Sequence, residues 1–321
     1  MYIGHGLLAF ALGGALGMRL DTSRSRALAL AFVAGAFGMV PDVDLAYTVY
    51  VVLKAGPQNV FPTTEFVWAE AGSWAVHRKL THSLVVGVLG VGVVASLAAA
   101  LRDDWHPGVA FGGLGATLAA LFAIVLSSHE LIGLMTLSLY VLAAAGLTFA
   151  AVRRGLPTRL VAAAAAIGLL SHPFGDVFMG SPPAFLYPLA AVGPTEKLAL
   201  SPDPTVNLVT LFALEVGLAW AAIWTAMQLT ERRLRSYVTA RAVLGASFAM
   251  AALVIQPPTL DIAYHFALGT IGLGVAVGAM PSLVVARGYD RETVLQGLGT
   301  SLATVTFAIT GYLLAYVALT P

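Results

Sequence analysis

The chain has 321 residues, of which 59% are apolar and 10% charged, with a formal net charge of +1 and no cysteine. Soluble domains carry about 25% charged residues, so this one has too few to coat a soluble surface, and its mean hydropathy is +0.86. The near-neutral balance, with no basic stripe, excludes a nucleic-acid partner. The missing cysteines exclude disulfides, thiolate metal sites and cysteine nucleophiles, leaving His, Asp and Glu to hold any metal.

Ten apolar segments predict an all-α, polytopic helical membrane protein with about ten transmembrane segments. They cover residues 2–18, 27–46, 83–101, 108–127, 130–152, 160–178, 206–230, 239–256, 262–286 and 292–318. The runs are continuous and rich in Ala and Leu rather than alternating, which disfavours a β-barrel. The first segment lacks a basic stretch before it and is followed by Arg19, so it reads as a mature helix and not a cleaved signal. Two long connections, 47–82 and 179–205, contain prolines that argue against further spanning helices. Residues 1–205 carry all the motifs and read as one membrane domain, with 206–321 as additional transmembrane helices.

With alternating spans, thirteen of the seventeen Lys and Arg residues fall on one side. The other side receives Lys54, Arg78, Lys79 and Lys197. The positive-inside rule places the first set in the cytoplasm. Both termini, both long loops and the polar islands described next are then expected on the extracytoplasmic side.

Four polar islands interrupt the apolar sequence: His5, Pro41-Asp42-Val43-Asp44, His77-Arg78-Lys79-Leu80-Thr81-His82-Ser83, and Ser171-His172-Pro173-Phe174-Gly175-Asp176. Charged side chains in an apolar helix are costly unless paired, hydrated or bound to a cation. Asp42 and Asp44 either turn the chain out of its helix or both reach one cation. His172 and Asp176 share a helix face at i, i+4 and suit a two-ligand edge, or the carboxylate orients the imidazole. His77 and His82, five apart, do not share a face, so one can be a ligand and the other a proton carrier. Arg78 offers a planar fork for phosphate or carboxylate, Lys79 suits a headgroup position, and Thr81 can cap the following helix. Ser83 as a nucleophile has no assignable Ser-His-Asp partner set. Glu215 lies inside the seventh apolar run as a candidate proton relay or helix–helix lock. Asp261 reads as a helix cap near His265, His106 as structural, and His129-Glu130 lacks the second histidine of a zinc-protease helix.

Taken together, His5, Pro-Asp-x-Asp, His-Arg-x-x-Thr-His-Ser, Ser-His-x-x-x-Asp and the pair Tyr187-Pro188 resemble a known family over residues 1–190 or so. It is the membrane-bound metal-dependent hydrolase-like family called LexA-binding, inner-membrane-associated hydrolase-like. The resemblance implies a multi-helix protein of a prokaryotic cell membrane with a metal-assisted hydrolytic site. Integral-membrane lipid phosphatases share His-x-x-x-Asp but need an Arg-rich stretch and a Ser-Gly-His motif, which this chain lacks.

The functional expectation is a hydrolase opening to the outer leaflet. Metal ligands come from His5, Asp42, Asp44, His77, His82, His172 and Asp176, and catalytic roles from Asp44, His77, Arg78 and His82. Nitrogen and oxygen donors without sulfur suit one or two Zn²⁺ or Mn²⁺ ions, with Fe an alternative. The expected partners are the lipid bilayer and a lipid-like substrate, such as a phosphoester. A transporter or proton-translocating protein built on the same His/Asp cluster is the main alternative, and a structural metal clamp the third.

Overall fold

The computed structural model describes residues 3–20, 22–46, 78–128, 131–178, 182–190, 193–259, 263–284 and 290–320. His77, His129, Glu130, Asp261 and most of the 47–82 connection lie outside the described residues. Among those described, all regular structure is helical. The chain folds as two compact units, Met1–Leu198 and Ala199–Pro321.

The first unit contains α1 (Gly4–Arg19), α2 (Arg24–Gly38), a 3-10 turn (Pro41–Ala46), α3 (Leu84–Arg102), α4 (Pro107–Ser128), α5 (Leu131–Arg153), α6 (Thr158–Gly175) and a second 3-10 turn (Asp176–Phe178). Small residues let α1 and α2 pack as a close hairpin. A Cβ added at Gly13 would stand 2.7 Å from the Ala34 Cβ, and one at Gly17 would stand 2.6 Å from that of Ala27. This is the small-residue contact by which helices associate where lipid removes the hydrophobic drive. Both helices of the hairpin pack on α6, and α3 packs on α6, α4 and α5. Their core includes Leu30, Phe37, Leu80, Val93, Leu121, Tyr140, Val161 and Leu169.

The arrangement of α1, α2, α3 and α6 decides where the polar islands go. His5 opens α1, Asp42 follows the end of α2, His82 precedes α3, and His172 and Asp176 close α6. Arg19, Arg24, Arg102 and Arg159 occupy the opposite ends of the same four helices.

The second unit contains α7 (Pro204–Thr230), 3-10 segments Leu234–Tyr237 and Ala240–Met250, α8 (Ala251–Val254), α9 (Ala263–Val284) and α10 (Arg291–Leu319). Its core gathers Val209, Val216, Phe266, Val305, Ile309 and Tyr312. Asp203 caps α7 by accepting from the Val206 N–H at 2.8 Å, and its other oxygen accepts from the Tyr316 hydroxyl at 3.1 Å. The apolar segment 239–256 winds mainly as 3-10 helix, which the apolar pattern does not distinguish from α. Among the described residues, six helices, α3, α4, α5, α6, α7 and α10, are long and apolar enough to cross a membrane.

Candidate metal centre

Two close helix approaches build the site. The last turn of α2 lies against α6 with almost no space between backbones. A Cβ at Gly168 would stand 2.5 Å from both the Gly38 nitrogen and the Phe37 Cβ. Two turns further along α6, a Cβ at Gly175 would stand 2.5 Å from His5 Cε1. Glycine at these two positions is what lets the His5 ring stack on His172, with centroids 3.8 Å apart.

α6 continues through Pro173, and Asp176 begins the 3-10 turn beyond it, so the i, i+4 pair does face one point. His172 Nε2 lies 3.5 Å from Asp176 Oδ2 and 3.5 Å from Asp42 Oδ1. His82 Nε2 lies 3.1 Å from His172 Nε2, 3.0 Å from Asp176 Oδ2 and 3.6 Å from Asp42 Oδ1. His5 Nε2 faces the other oxygen of Asp176, Oδ1, at 3.2 Å. Four islands spread over 170 or so residues therefore meet.

The outer nitrogens of the two central histidines are already engaged. His172 Nδ1 donates to the Gly38 carbonyl at 2.7 Å. The Thr81 hydroxyl donates to Asp44 Oδ2 at 2.7 Å, which leaves its oxygen to accept from His82 Nδ1 at 3.0 Å. These tautomers follow from the hydrogen-bond network. Both Nε2 lone pairs then point at one another and at two carboxylate oxygens, with His82, His172 and Asp176 buried and Asp42 half-buried. Such a point demands a positive charge, either a proton or a metal ion.

His82 sits in the turn before α3, outside the spanning helices. Burial pulls its pKa down, but hydrogen bonds to Asp176 and Asp42 and the charge of Asp44 outweigh burial and hold it at about 9, against an ordinary 6.5.

The donor set fits a metal. Zn²⁺ with nitrogen and oxygen ligands at about 2.0–2.1 Å in a tetrahedron has donor–donor edges of roughly 3.3 Å. Five separations, between His82 and His172 and from each of them to Asp42 and Asp176, are 3.0–3.6 Å and bracket that value. Two groups, His5–Asp42–His172 and the fully buried His82–His172–Asp176, can hold a metal by donor type and spacing. His5 Nε2 is buried and faces Asp176 Oδ1, which places it to take a proton or a further ligand.

Not every residue expected at the site faces this point. Asp44 lies on the Nδ1 side of His82, 3.6 Å away, where it orients the ring through Thr81. The cause is the 3-10 winding of Pro41–Ala46. At three residues per turn, positions two apart point about 120° from each other, so Asp42 and Asp44 face opposite sides of His82. Arg78 is turned inward: its guanidinium donates to the Asp176 carbonyl at 3.0 Å and lies 3.5 Å from Asp176 Oδ1. It anchors the carboxylate. Ser83, and not Thr81, caps α3 by accepting from the Val85 N–H at 3.0 Å, and its hydroxyl donates to the Tyr187 carbonyl at 2.6 Å. Lys79 is exposed, and His106 Nδ1 accepts from the Gly108 N–H at 3.2 Å at the start of α4. Glu215 and His265 belong to the second unit. The Gly38 carbonyl and the glycines at 168 and 175 were missed by motif reading. The sole available signal was their place beside the Pro-Asp and His-Pro islands.

A family model described as YdjM inner membrane protein matches residues 1–257. The chain belongs to that family. No curated protein and no solved structure matches it. The YdjM description and the apolar helices together make it a multi-pass protein of the cell membrane. The matched stretch contains every member of the His/Asp cluster. The description names a location and neither a reaction nor a metal, so the hydrolase character implied by the resemblance belongs to the proposal below.

The orienting role of Asp44 has a measurable consequence. Asp44→Asn keeps the shape and removes the charge that fixes Thr81 and His82. Zinc affinity in competition with a chromophoric chelator is expected to fall about 10- to 100-fold, the usual loss for a group behind a ligand. Unchanged affinity would show that Asp44 has no part in the site.

Proposed function

We propose that the cluster binds a divalent ion, Zn²⁺ or Mn²⁺, and that the protein is a hydrolase acting at the outer leaflet on a lipid phosphoester. The observation that carries the metal is that His82 Nε2, His172 Nε2 and Asp176 Oδ2 lie within 3.0–3.5 Å of one another, with Asp42 Oδ1 3.5–3.6 Å from both imidazole nitrogens. When bound, such an ion lowers the pKa of water and polarises the scissile group. The chain's own residues do the rest. Thr81 with Asp44, and the Gly38 carbonyl, hold the two imidazoles in the ligating tautomer. Arg78 fixes Asp176. His5, with its uncommitted Nε2 beside Asp176, takes the proton that water releases and returns it to the departing alcohol oxygen. In that exchange the water oxygen bonds to phosphorus as the bond from phosphorus to the alcohol oxygen breaks.

The orientation belongs to the same reading. The helix ends nearest the cluster are opposite those carrying Arg19, Arg24, Arg102 and Arg159, so the positive-inside rule puts the cluster outside. Ten spans with both termini extracytoplasmic follow if the shorter helices also cross. The 3-10 segment Ala240–Met250 rises about 2.0 Å per residue, so with α8 it reaches roughly 28 Å, close to the ~30 Å of a bilayer core.

A closed structural site is the second reading. The observation favouring it is that four protein donors already fill a tetrahedral zinc. Against it, Asp42 is the least enclosed of the four, its side chain 16% exposed while the other three are 0–4% exposed, so one corner opens to substrate.

The test is a hydrolysis screen. The purified chain in vesicles, stripped and reloaded with Zn²⁺ or Mn²⁺, is offered phosphatidate, phosphatidylglycerophosphate and soluble aryl phosphates. Metal-dependent release of phosphate or alcohol is expected. Chelation that lowers the melting temperature while no substrate turns over would establish the structural clamp. Ion flux across the vesicle without product would establish transport.

A further inference from the structure

The exposed corner of the site does not open to water alone. Asp42 also lies in the wall of a groove of about 830 Å³ between the end of α2, the 3-10 turn after it, and α5. Ala36, Val40 and Val43 form one side, and Ala143 and Gly146 line the other. Asp42 is the one charged residue among those lining it. Ala143, Gly146 and Leu147 stand at i, i+3 and i+4, so one stripe of α5 forms that wall. Apart from that carboxylate, which is also a corner of the proposed metal centre, the residues lining the groove are apolar. Its volume lies within the range of about 300–1,000 Å³ typical of ligand sites.

We infer that this groove holds one hydrocarbon chain of a membrane lipid while the lipid's phosphoester reaches the metal centre past Asp42. The inference rests on the hydrolase reading and specifies its substrate as a long-chain amphiphile drawn sideways from the leaflet. A groove lined by apolar residues and one carboxylate has no use for a small hydrophilic phosphate, which would lose its hydration there uncompensated. A hydrocarbon chain passes into it from the bilayer without that penalty, because lipid tails and the groove wall are equally apolar. The length of chain that fits is set by α5.

Gly146 is the residue through which this can be tested. A Cβ there meets nothing within 4 Å, so a larger side chain enters the groove without disturbing helix packing. Gly146→Trp fills the groove, and Gly146→Ala is the control that leaves it open.

The full chain is placed in phosphatidylethanolamine/phosphatidylglycerol vesicles containing a phosphatidate with a diazirine at the end of one acyl chain. It is then irradiated and mapped by mass spectrometry, with zinc content measured on the same samples. Label is expected to concentrate on residues 36–45 and 143–147 in the native chain and in Gly146→Ala. In Gly146→Trp it is expected to fall at least fivefold, with zinc content unchanged. Label spread evenly over the exposed faces of α4 and α5 on zinc-loaded protein, or equal labelling of Gly146→Trp, would overturn the groove and leave the hydrolase reading standing. A native chain that takes up no zinc would overturn the hydrolase reading and this inference with it.

Discussion

His172→Asn is expected to abolish metal binding while leaving the protein folded. The shorter side chain can still offer an N–H near the Nδ1 position, and so to the Gly38 carbonyl now 2.7 Å away, but it removes Nε2 from the centre of the cluster. With it go contacts of 3.1 Å to His82 and 3.5 Å to each of two carboxylates. Zinc content by plasma mass spectrometry should drop from near one per chain to background. Any metal-dependent turnover should fall by at least 100-fold. His172→Ala serves as the harsher variant, since it also orphans the Gly38 carbonyl in a buried place, at about 1–3 kcal/mol. Full zinc retention in His172→Asn would show that the four donors do not act as one site.

The second large effect concerns assembly and needs no metal. Gly168→Leu puts a branched side chain where even a Cβ would stand 2.5 Å from the Gly38 nitrogen. Backbone cannot yield as a flexible side chain can, so α2 and α6 must separate. Overpacking ordinarily costs about 1–3 kcal/mol. With backbone on the other side, the loss is expected at roughly 3 kcal/mol or more, a large part of a typical 5–15 kcal/mol total. The measurement is the fraction that remains monodisperse in detergent and its melting temperature. The same substitution at Gly112, where a Cβ meets nothing within 4 Å, is the control and should behave as wild type. Normal folding of Gly168→Leu would show that the α2–α6 contact is not held as tightly as described.

Much of the site was legible because its chemistry is written in residue types. Histidines and aspartates in apolar helices are costly without partners, and the spacing of His172 and Asp176 already placed them on one face. The helical class was legible for the same reason, since apolar run length reports on the membrane. What could not be read is set by backbone. Asp42 and Asp44 look equivalent in Pro-Asp-x-Asp; they diverge because the turn after Pro41 winds as 3-10 helix. Thr81 and Ser83 are both competent caps, and the choice falls to where α3 begins. Arg78 carries a fork suited to phosphate, but here the nearest anion is the protein's own Asp176. The Gly38 carbonyl, which fixes the tautomer of His172, leaves no mark on a motif because any residue has one. His77, expected as a ligand, lies outside the described residues, so the centre is drawn from Asp42, His82, His172 and Asp176, with His5 beside it.

The central claim is that two imidazoles and two carboxylates surround one ion. Zinc K-edge X-ray absorption on the full chain loaded with one equivalent of Zn²⁺ tests it most directly. The account predicts a first shell of nitrogen and oxygen at about 2.0–2.1 Å, with outer-shell scattering from two imidazole rings that disappears in part in His172→Asn. A shell of water oxygens without imidazole scattering would contradict it.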